Sequence, residues 1–289
     1  MRIARRVAKG YDGSGNVAAL TVAGSVGAGL ADRWSDLEVD CYWLESPSDA
    51  DRREPIGGAG GVVTEFWDYD WDDREWSEDY RVGPLTVTGS NFTVATVAGF
   101  LDAVVDQADP DPVKHMRLAA IQRCQPLRGA ELVRTWRARA EQYPDQLVDV
   151  MIERSLTAGT LAGWSARHAL LDRGDGIAVH ALLSRIEQAI FSTVLALNRV
   201  YEPHRVAKWQ RHLLTGLDIA PDDLGARLAS LWQGSELDRI VNAEALLTEM
   251  LALVEWHSSA ELGDFSERFG EHRSPAEPPE AAGVHQASQ

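Results

Sequence analysis

The spacing of hydrophobic residues changes about one third of the way along the chain. Up to about residue 110, short apolar runs alternate with polar residues or end at turn formers, a pattern that predicts β-strands. From about residue 113 onward, apolar residues recur every three or four positions, which predicts amphipathic helices. We therefore predict an α+β protein: a small N-terminal α/β domain with a mixed sheet, followed by a C-terminal helical bundle.

The first part of the chain supplies the predicted sheet. Strands are expected over residues 17–23, 36–44 and 62–71, and a strand–turn–strand unit over 80–92. A helix follows, with Thr93 as its N-cap. Segments 24–35 and 46–61 are rich in glycine, proline and polar residues, so both are predicted to be loops.

The pattern over the rest of the chain predicts helices, with one interruption at Pro203. Pro203 interrupts a long helical pattern, and Lys208 is expected one turn into the helix that follows. A composition shift in the stretch "ADPDP" (108–112) marks the predicted domain boundary. The expected divisions are 1–110, 111–270 and a disordered tail, rich in Pro, Ala and Glu, over 271–289.

Three carboxylates occupy alternate positions of the second predicted strand. Asp36, Glu38 and Asp40 would share one face, while Leu37 and Val39 point into the core. Stacked carboxylates repel one another, and oxygen ligands at this spacing suit a hard divalent cation such as magnesium. The alternative is an exposed edge strand whose carboxylates face water.

A Gly-Ser turn precedes this strand. Gly24 permits close backbone approach, and the N–H groups of Gly24 and Ser25, with the Ser25 hydroxyl, could hold phosphate oxygens. A carboxylate pair beside a phosphate-binding turn is the arrangement that metal-assisted phosphoryl or nucleotidyl transfer requires.

These two features together resemble a known superfamily. The order Gly24-Ser25, a loop, then Ser35-Asp36-Leu37-Glu38 is similar to the signature of the DNA polymerase β-type nucleotidyltransferases. Within it the stretch "SDLEVDCYW" most resembles the antibiotic group, such as the kanamycin and lincosamide nucleotidyltransferases, and related uncharacterised bacterial proteins. The stretch "LALNRVYEPHRVAKW" resembles a segment of the helical domain of those relatives, and the resemblance covers roughly residues 15–215.

The resemblance implies an enzyme that transfers a nucleoside monophosphate from a nucleoside triphosphate to a hydroxyl of a small acceptor, by two-metal catalysis. Gly24 and Ser25 would cradle phosphates, and Asp36 and Glu38 would hold Mg²⁺ in a cleft between the domains. Lys208 would pair with phosphate.

Two further residues of the helical half are candidates for the nucleotide. Tyr201 could stack on the nucleobase, and Asn198 could hydrogen-bond a ribose or phosphate. An aromatic residue at a helix end and a C-cap are the structural alternatives for these two positions.

A third carboxylate of the family pattern is missing. Its expected position, in "PLTVTGSNF", holds Thr88, which cannot act as a general base. Asp40 could supply the third metal ligand, or a carboxylate of "EFWDYDWDDREWSED" could reach in, with Glu65 as first choice. The resemblance also allows Glu187 or Asp175 of the helical half as the base.

Thr88 also supports a different class of function. The protein could be a catalytically degenerate nucleotidyltransferase fold that serves as a nucleotide-binding module or as a protein partner, such as the antitoxin of a toxin–antitoxin-like pair. A weaker third reading is a regulatory or scaffolding protein whose helical half does the binding.

Composition narrows the choice of partners. A net charge of −16 argues against broad binding to nucleic acid and favours a small or cationic acceptor. The stretch "WDYDWDDREW" would suit a polycation, or it is a solvated loop. Two cysteines, no apolar run long enough to cross a membrane and no signal-peptide pattern predict a cytoplasmic protein, with the oligomeric state left open, a homodimer included.

Overall fold

The computed structural model describes residues 1–204 and 208–274. The strands are β1 (Val17–Val22), β2 (Leu37–Trp43), β3 (Val62–Asp70), β4 (Glu75–Val82), β5 (Leu85–Thr93) and β6 (Gln125–Arg128). The helices of the first half are α1 (Arg2–Lys9), α2 (Gly24–Gly27), α3 (Asp49–Gly58), α4 (Val94–Leu101), α5 (Pro112–Arg123), α6 (Ala130–Ala140) and α7 (Asp145–Ser155). Those of the second half are α8 (Arg167–Arg173), α9 (Gly176–Leu197), α10 (Gln210–Leu213), α11 (Leu224–Ser230), α12 (Glu236–His257) and α13 (Phe265–Gly270). A π-helical turn over Asp102–Asp106 and a 3₁₀ turn over Trp164–Ala166 complete them.

The six strands form one mixed sheet in the order β3-β4-β5-β2-β1-β6. β2 and β5 run parallel, and the other neighbours are antiparallel. The predicted fold class is confirmed. β6 was not expected, because it lies in the half predicted to be all helical. Its four residues "QPLR" are too few to show a period, and Pro126 is tolerated because β6 is an edge strand.

Alternation along β2 separates two faces, as the sequence predicts. Leu37, Val39, Cys41 and Trp43 are buried in one hydrophobic cluster with residues of α1, α3 and the neighbouring strands. Tyr42 points to the opposite face, where aromatic rings of β5 and α6 pack against it. Since both faces of β2 are covered, the alternative of an exposed edge strand is wrong.

The segment predicted as a loop over 46–61 contains a helix instead. Ser48 and Asp51 form a capping box that begins α3: the Ser48 hydroxyl accepts from the Asp51 N–H, and the Asp51 carboxylate accepts from the Ser48 N–H at 2.8 Å. Pro55 and two C-terminal glycines hide the helical period in the sequence. Thr93 does cap α4, because its hydroxyl accepts from the Thr96 N–H at 3.0 Å.

Two compact units divide the described chain. Unit 1 contains residues Met1–Met151 and Leu195–Trp209, and unit 2 contains Ile152–Val194 with the chain from Gln210 onward. The predicted folding domains at 1–110 and 111–270 remain a prediction. Of the predicted tail, residues 275–289 lie outside the described residues.

Unit 2 is built from helices around a buried arginine. Arg167 stacks over the Trp164 ring at 4.5 Å and pairs with Glu244 at 3.2 Å. The Trp164 indole donates to the Phe269 carbonyl at 2.9 Å, which ties the 3₁₀ turn to α13. No helix within residues 1–204 and 208–274 is both long and apolar enough to cross a membrane.

Candidate functional site

The Gly-Ser turn lies directly against the carboxylate strand. β1 ends at Val22, and the chain enters the short helix α2 at Gly24, whose φ is +57°. A Cβ on Gly24 would lie 2.2 Å from Oε1 of Glu38, far closer than any real contact. Glycine is therefore required here both by the backbone conformation and by the approach of the Glu38 carboxylate.

A cleft of about 340 Å³ opens beside this turn. Four predicted site residues line it: Ser25, Asp36, Glu38 and Lys208. Its remaining lining residues are Asp32, Trp34, Ser35, His204 and Trp209. The structure thus brings the two ends of the predicted site, the Gly-Ser/carboxylate region and the Lys208 segment, into one cleft within unit 1.

The loop between the turn and β2 is held by its own hydrogen bonds. Oδ1 of Asp32 accepts from the Trp34 N–H at 2.8 Å and from the Ser35 hydroxyl at 3.2 Å. The Ser35 hydroxyl in turn accepts from the Asp32 N–H at 3.0 Å. These bonds fix Trp34 at the rim of the cleft, where its side chain is 80% exposed.

Burial and neighbouring carboxylates both act on Glu38. Burial, followed by the neighbouring Asp40 and Asp36 carboxylates, raises the pKa of Glu38 above its ordinary value. Arg117 and Lys208 lower that pKa by less. The expected repulsion between these carboxylates is therefore present, and it would be relieved by a cation in the cleft.

The pKa of His204, whose imidazole also lines the cleft, is lowered, whereas that of Glu38 is raised. Burial and then the positive charge of Lys208 lower the pKa of His204 below its ordinary value. His204 is therefore neutral at neutral pH, and one of its ring nitrogens can accept a proton.

Asp40 is already paired with a cation from the protein. Oδ2 of Asp40 lies 2.7 Å from Nη1 of Arg117 on α5 and 3.2 Å from the Tyr42 hydroxyl, which donates to it. The other nitrogen of the same guanidinium, Nη2, lies 3.3 Å from Glu75, and the guanidinium stacks on the Phe92 ring at 3.8 Å. Arg117 thus takes the place at Asp40 where the sequence predicted a metal ion.

The described side chains do not form a complete set of metal ligands by themselves. Across residues 1–204 and 208–274, no group of three or more His, Cys, Asp or Glu side chains is arranged to hold a metal ion. The predicted set of Asp36, Glu38 and Asp40 is therefore reduced to the first two residues, with Asp40 as a structural partner of Arg117.

Thr88 lies where the sequence places it, beside Glu38. The two residues are opposite each other in the parallel β2–β5 pair, so both side chains are on the same face. The Thr88 hydroxyl donates to Oδ1 of Asp79 at 2.8 Å, and Asp79 is the β4 residue opposite Thr88. Glu65 lies one strand further out, opposite Asp79.

Asp79 was missed because β4 begins earlier than predicted. The sequence places the strand from residue 80, whereas β4 starts at Glu75 and carries Asp79 toward the Glu38 face. Asp79 and Glu65 both belong to the acidic segment "EFWDYDWDDREWSED". In the sheet, Asp79 therefore lies one strand closer to Glu38 than Glu65 does. Extending the predicted strand backward from Tyr80 to residue 75 would have placed residues 75, 77 and 79 on one face and so predicted the position of Asp79.

Tyr201 does not reach the cleft. Its side chain is 1% exposed, and its ring centroid lies 5.4 Å from that of His115 and 4.9 Å from that of Tyr143. A ring enclosed in this way cannot stack on a nucleobase, so that prediction is wrong and Tyr201 is a packing residue. Asn198 follows the end of α9 and is not among the residues that line the cleft; its role stays a prediction.

Lys208 lies in a turn rather than inside a helix. The helix that follows, α10, begins only at Gln210, so the predicted position one turn into a helix is wrong. Residues 205–207 of the same stretch lie outside the described residues.

The two carboxylates proposed as base in the helical half belong to unit 2. Oε2 of Glu187 accepts from the Trp232 indole N–H at 2.9 Å. The Asp175 carbonyl accepts from the N–H groups of Ala178 and Val179, which marks the start of α9. For both residues, a role as proton acceptor stays a prediction.

A family model described as a domain of unknown function, DUF4037, matches residues 112–210, just over a third of the chain. No curated protein matches the chain. A solved structure of a nucleotidyltransferase-like protein from Exiguobacterium sibiricum 255-15 resembles it with 10% identity and a TM-score of 0.41. The match covers 88% of this chain and 74% of that one, and a TM-score of this size is too low to define a shared function.

Proposed function

We propose that the cleft binds a nucleoside triphosphate with Mg²⁺ and transfers its nucleoside monophosphate to a hydroxyl of a small acceptor. One observation carries the proposal: Ser25, Asp36, Glu38 and Lys208, from distant parts of the sequence, line the same cleft. A phosphate-binding turn, two carboxylates and a lysine are the parts that this chemistry requires.

The carboxylates suit magnesium rather than a metal held by protein alone. Mg²⁺ is usually bound through one or two carboxylates together with substrate phosphates and water. Asp36 and Glu38 provide two carboxylates, and burial, followed by the Asp40 and Asp36 carboxylates, raises the pKa of Glu38, as is expected where a nearby cation would favour the charged form. Bound there, the ion would neutralise phosphate charge and polarise the reacting phosphoryl group.

The phosphates would lie against the turn and the lysine. The Ser25 hydroxyl lines the cleft and can donate to a phosphate oxygen, while the space beside the Cα of Gly24 is taken by the Glu38 carboxylate. Lys208 supplies the positive charge for the leaving phosphates.

The transfer itself exchanges one phosphorus–oxygen bond for another. The acceptor oxygen forms a bond to the α-phosphorus, the bond from that phosphorus to the bridging oxygen of pyrophosphate breaks, and the acceptor proton passes to a base. His204 can take that proton as a neutral imidazole lining the cleft. Glu187 and Asp175 remain the alternatives that the resemblance implies.

The acceptor should be small and preferably cationic. Asp32, Asp36 and Glu38 give the cleft an acidic lining, and the whole chain carries −16, so an RNA acceptor would be repelled. The expected location is the cytoplasm, in agreement with two free cysteines, Cys41 and Cys124.

A second candidate function is binding without transfer. Arg117 forms an ion pair with Asp40, so that carboxylate is not free to bind a metal ion. Thr88 stands opposite Glu38, at the position where the family pattern has its third carboxylate. These two features favour a degenerate site that binds a nucleotide, or a fold retained for protein contacts.

Calorimetric titration of ATP, GTP, CTP and UTP, with and without Mg²⁺, tests the proposal. We expect binding of at least one triphosphate that needs Mg²⁺ and is lost in Asp36→Asn/Glu38→Gln. The matched control is Asp12→Asn/Glu54→Gln, which removes the same charge from exposed positions of unit 1 that do not line the cleft. Pyrophosphate release with a panel of hydroxyl acceptors then separates transfer from binding, and failure of every triphosphate to bind would refute both candidates that involve a nucleotide.

A further inference from the structure

The first helix carries a row of cations. Arg2 is followed at three and four residues by Arg5 and Arg6, and these at four and three residues by Lys9, so all four lie along one face of α1. All four are exposed. None of the four side chains forms an ion pair or hydrogen bond with a residue in the described ranges 1–204 and 208–274. Four cations without a partner are unusual in a chain of net charge −16.

These cations border a groove of about 790 Å³, here called the basic groove. Its other walls are Ile3 of α1 and residues Val82, Gly83 and Pro84, where β4 turns into β5. A groove with positive charge on one side and apolar atoms on another fits a segment that is both acidic and aromatic.

The chain itself carries such a segment where β3 turns into β4, here called the acidic tip (residues 68–73). It contains Asp68, Asp70, Asp72 and Asp73 around Trp71, whose side chain is 82% exposed. The acidic tip is ordered: Oδ1 of Asp70 accepts from the N–H groups of Asp72 and Asp73 at 2.7 and 2.9 Å. The Trp71 ring also packs edge-on against Tyr69, with centroids 4.9 Å apart.

The two features lie at opposite ends of one strand. β4 begins at Glu75, next to the acidic tip, and ends at Val82 in the wall of the basic groove. A strand of this length spans about 25 Å, so the acidic tip cannot reach the basic groove of its own chain. Complementary surfaces that cannot meet within one copy can meet between copies.

We propose that the acidic tip of one copy docks into the basic groove of a second copy, which produces head-to-tail self-association. Asp68 and Asp72 would pair with the arginines of α1, and the Trp71 indole would lie against a guanidinium and the apolar wall. Such a contact is heterologous, so it closes into a ring or continues as an open chain of molecules. The arrangement is independent of the proposed transferase site.

Sedimentation velocity on the full chain tests the proposal. We expect the wild-type protein to associate at about 0.1 M salt and to dissociate at about 1 M, where charges are screened beyond about 3 Å. Arg5→Glu/Arg6→Glu should be monomeric, and so should Asp68→Arg/Asp72→Arg. The control Arg173→Glu/Arg211→Glu makes the same charge change on exposed arginines of unit 2 and should associate normally.

An equimolar mixture of the two monomeric variants gives the sharpest result. The unaltered acidic tip of one variant then meets the unaltered basic groove of the other, so the mixture should form pairs although neither variant associates alone. A wild-type chain that stays monomeric at all salt concentrations, or an Arg5→Glu/Arg6→Glu variant that still associates, would overturn the proposal. Binding of heparin by a monomeric wild type, lost in that variant, would assign the basic groove to another polyanion and also overturn it.

Discussion

Replacing Gly24 with alanine tests the packing on which the candidate site depends. Two separate costs are expected. The positive φ of +57° costs a residue with a Cβ about 1–2 kcal/mol. The new Cβ would also lie 2.2 Å from Oε1 of Glu38, and overpacking of this kind adds about 1–3 kcal/mol. We therefore expect Gly24→Ala to lower the free energy of unfolding by about 2–5 kcal/mol.

Gly29 provides a matched control five residues away. Its φ is +74°, but a Cβ there would meet nothing within 4 Å. Gly29→Ala should therefore show only the backbone cost of about 1–2 kcal/mol. The difference between the two alanine variants measures the contact with Glu38 separately from the backbone conformation.

Urea denaturation of four proteins completes the test: wild type, Gly24→Ala, Glu38→Ala and the double variant. Removing the Glu38 carboxylate removes the overlap, so the double variant should be more stable than the sum of the single effects predicts. If Gly24→Ala costs no more than Gly29→Ala, or if the effects of Gly24→Ala and Glu38→Ala are additive, the Glu38 carboxylate does not pack over Gly24 and the cleft does not have the geometry described above.

Three further predictions concern the buried charges of unit 1. Arg117→Leu leaves the buried Asp40 carboxylate without its ion-pair partner and should lower the free energy of unfolding by about 3–5 kcal/mol in urea denaturation, part of which Asp40→Asn should restore in the same background. Burial raises the pKa of Glu75 to about 7 despite its Arg117 partner, so the stability that protonated Glu75 contributes is fully present below its unfolded pKa and is lost as pH rises through about 7. The free energy of unfolding of wild type relative to Glu75→Gln should therefore fall by about 3 kcal/mol between pH 4.5 and pH 8. A difference between the two proteins that does not change with pH would contradict this. Burial also raises the pKa of the Cys41 and Cys124 thiols, so neither should react with a thiol reagent until denaturant is added, and rapid labelling of the native protein would show that they are accessible.

Local patterns in the sequence predicted what local physics determines. The alternation of β2 shows which side chains face the core, and the Thr93 hydroxyl caps α4 within three residues of itself. Helix α3 escaped prediction because its glycines and Pro55 dominate the composition, although the Ser48–Asp51 capping box was present in the sequence. β6 escaped because four residues carry no usable period, and its pairing partner β1 lies about a hundred residues earlier.

Long-range contacts explain why the candidate site could be predicted only in part. Ser25, Asp36 and Glu38 are close in the sequence, so a motif could predict that they act together. The contact of Thr88 with Asp79 depends on the register of β4 against β5, which a strand start misplaced by five residues conceals. The burial of Tyr201 depends on side chains from two other segments and could not be deduced from its own stretch.

The three carboxylates of β2 are compensated from two different directions. Asp40, deepest in the fold, is neutralised by Arg117, which lies 77 residues further along the chain and is fixed by its stacking on Phe92. Asp36 and Glu38, at the beginning of the strand, form no ion pair with a residue of the described ranges 1–204 and 208–274, and Lys208 only partly offsets the charge around Glu38. The repulsion that the sequence pattern predicts is thus removed where the protein interior requires it and retained at the cleft. A cation bound in the cleft would be attracted by the charge that Lys208 does not offset, which is why Asp36 and Glu38, and not Asp40, are the residues at which Mg²⁺ dependence should be sought.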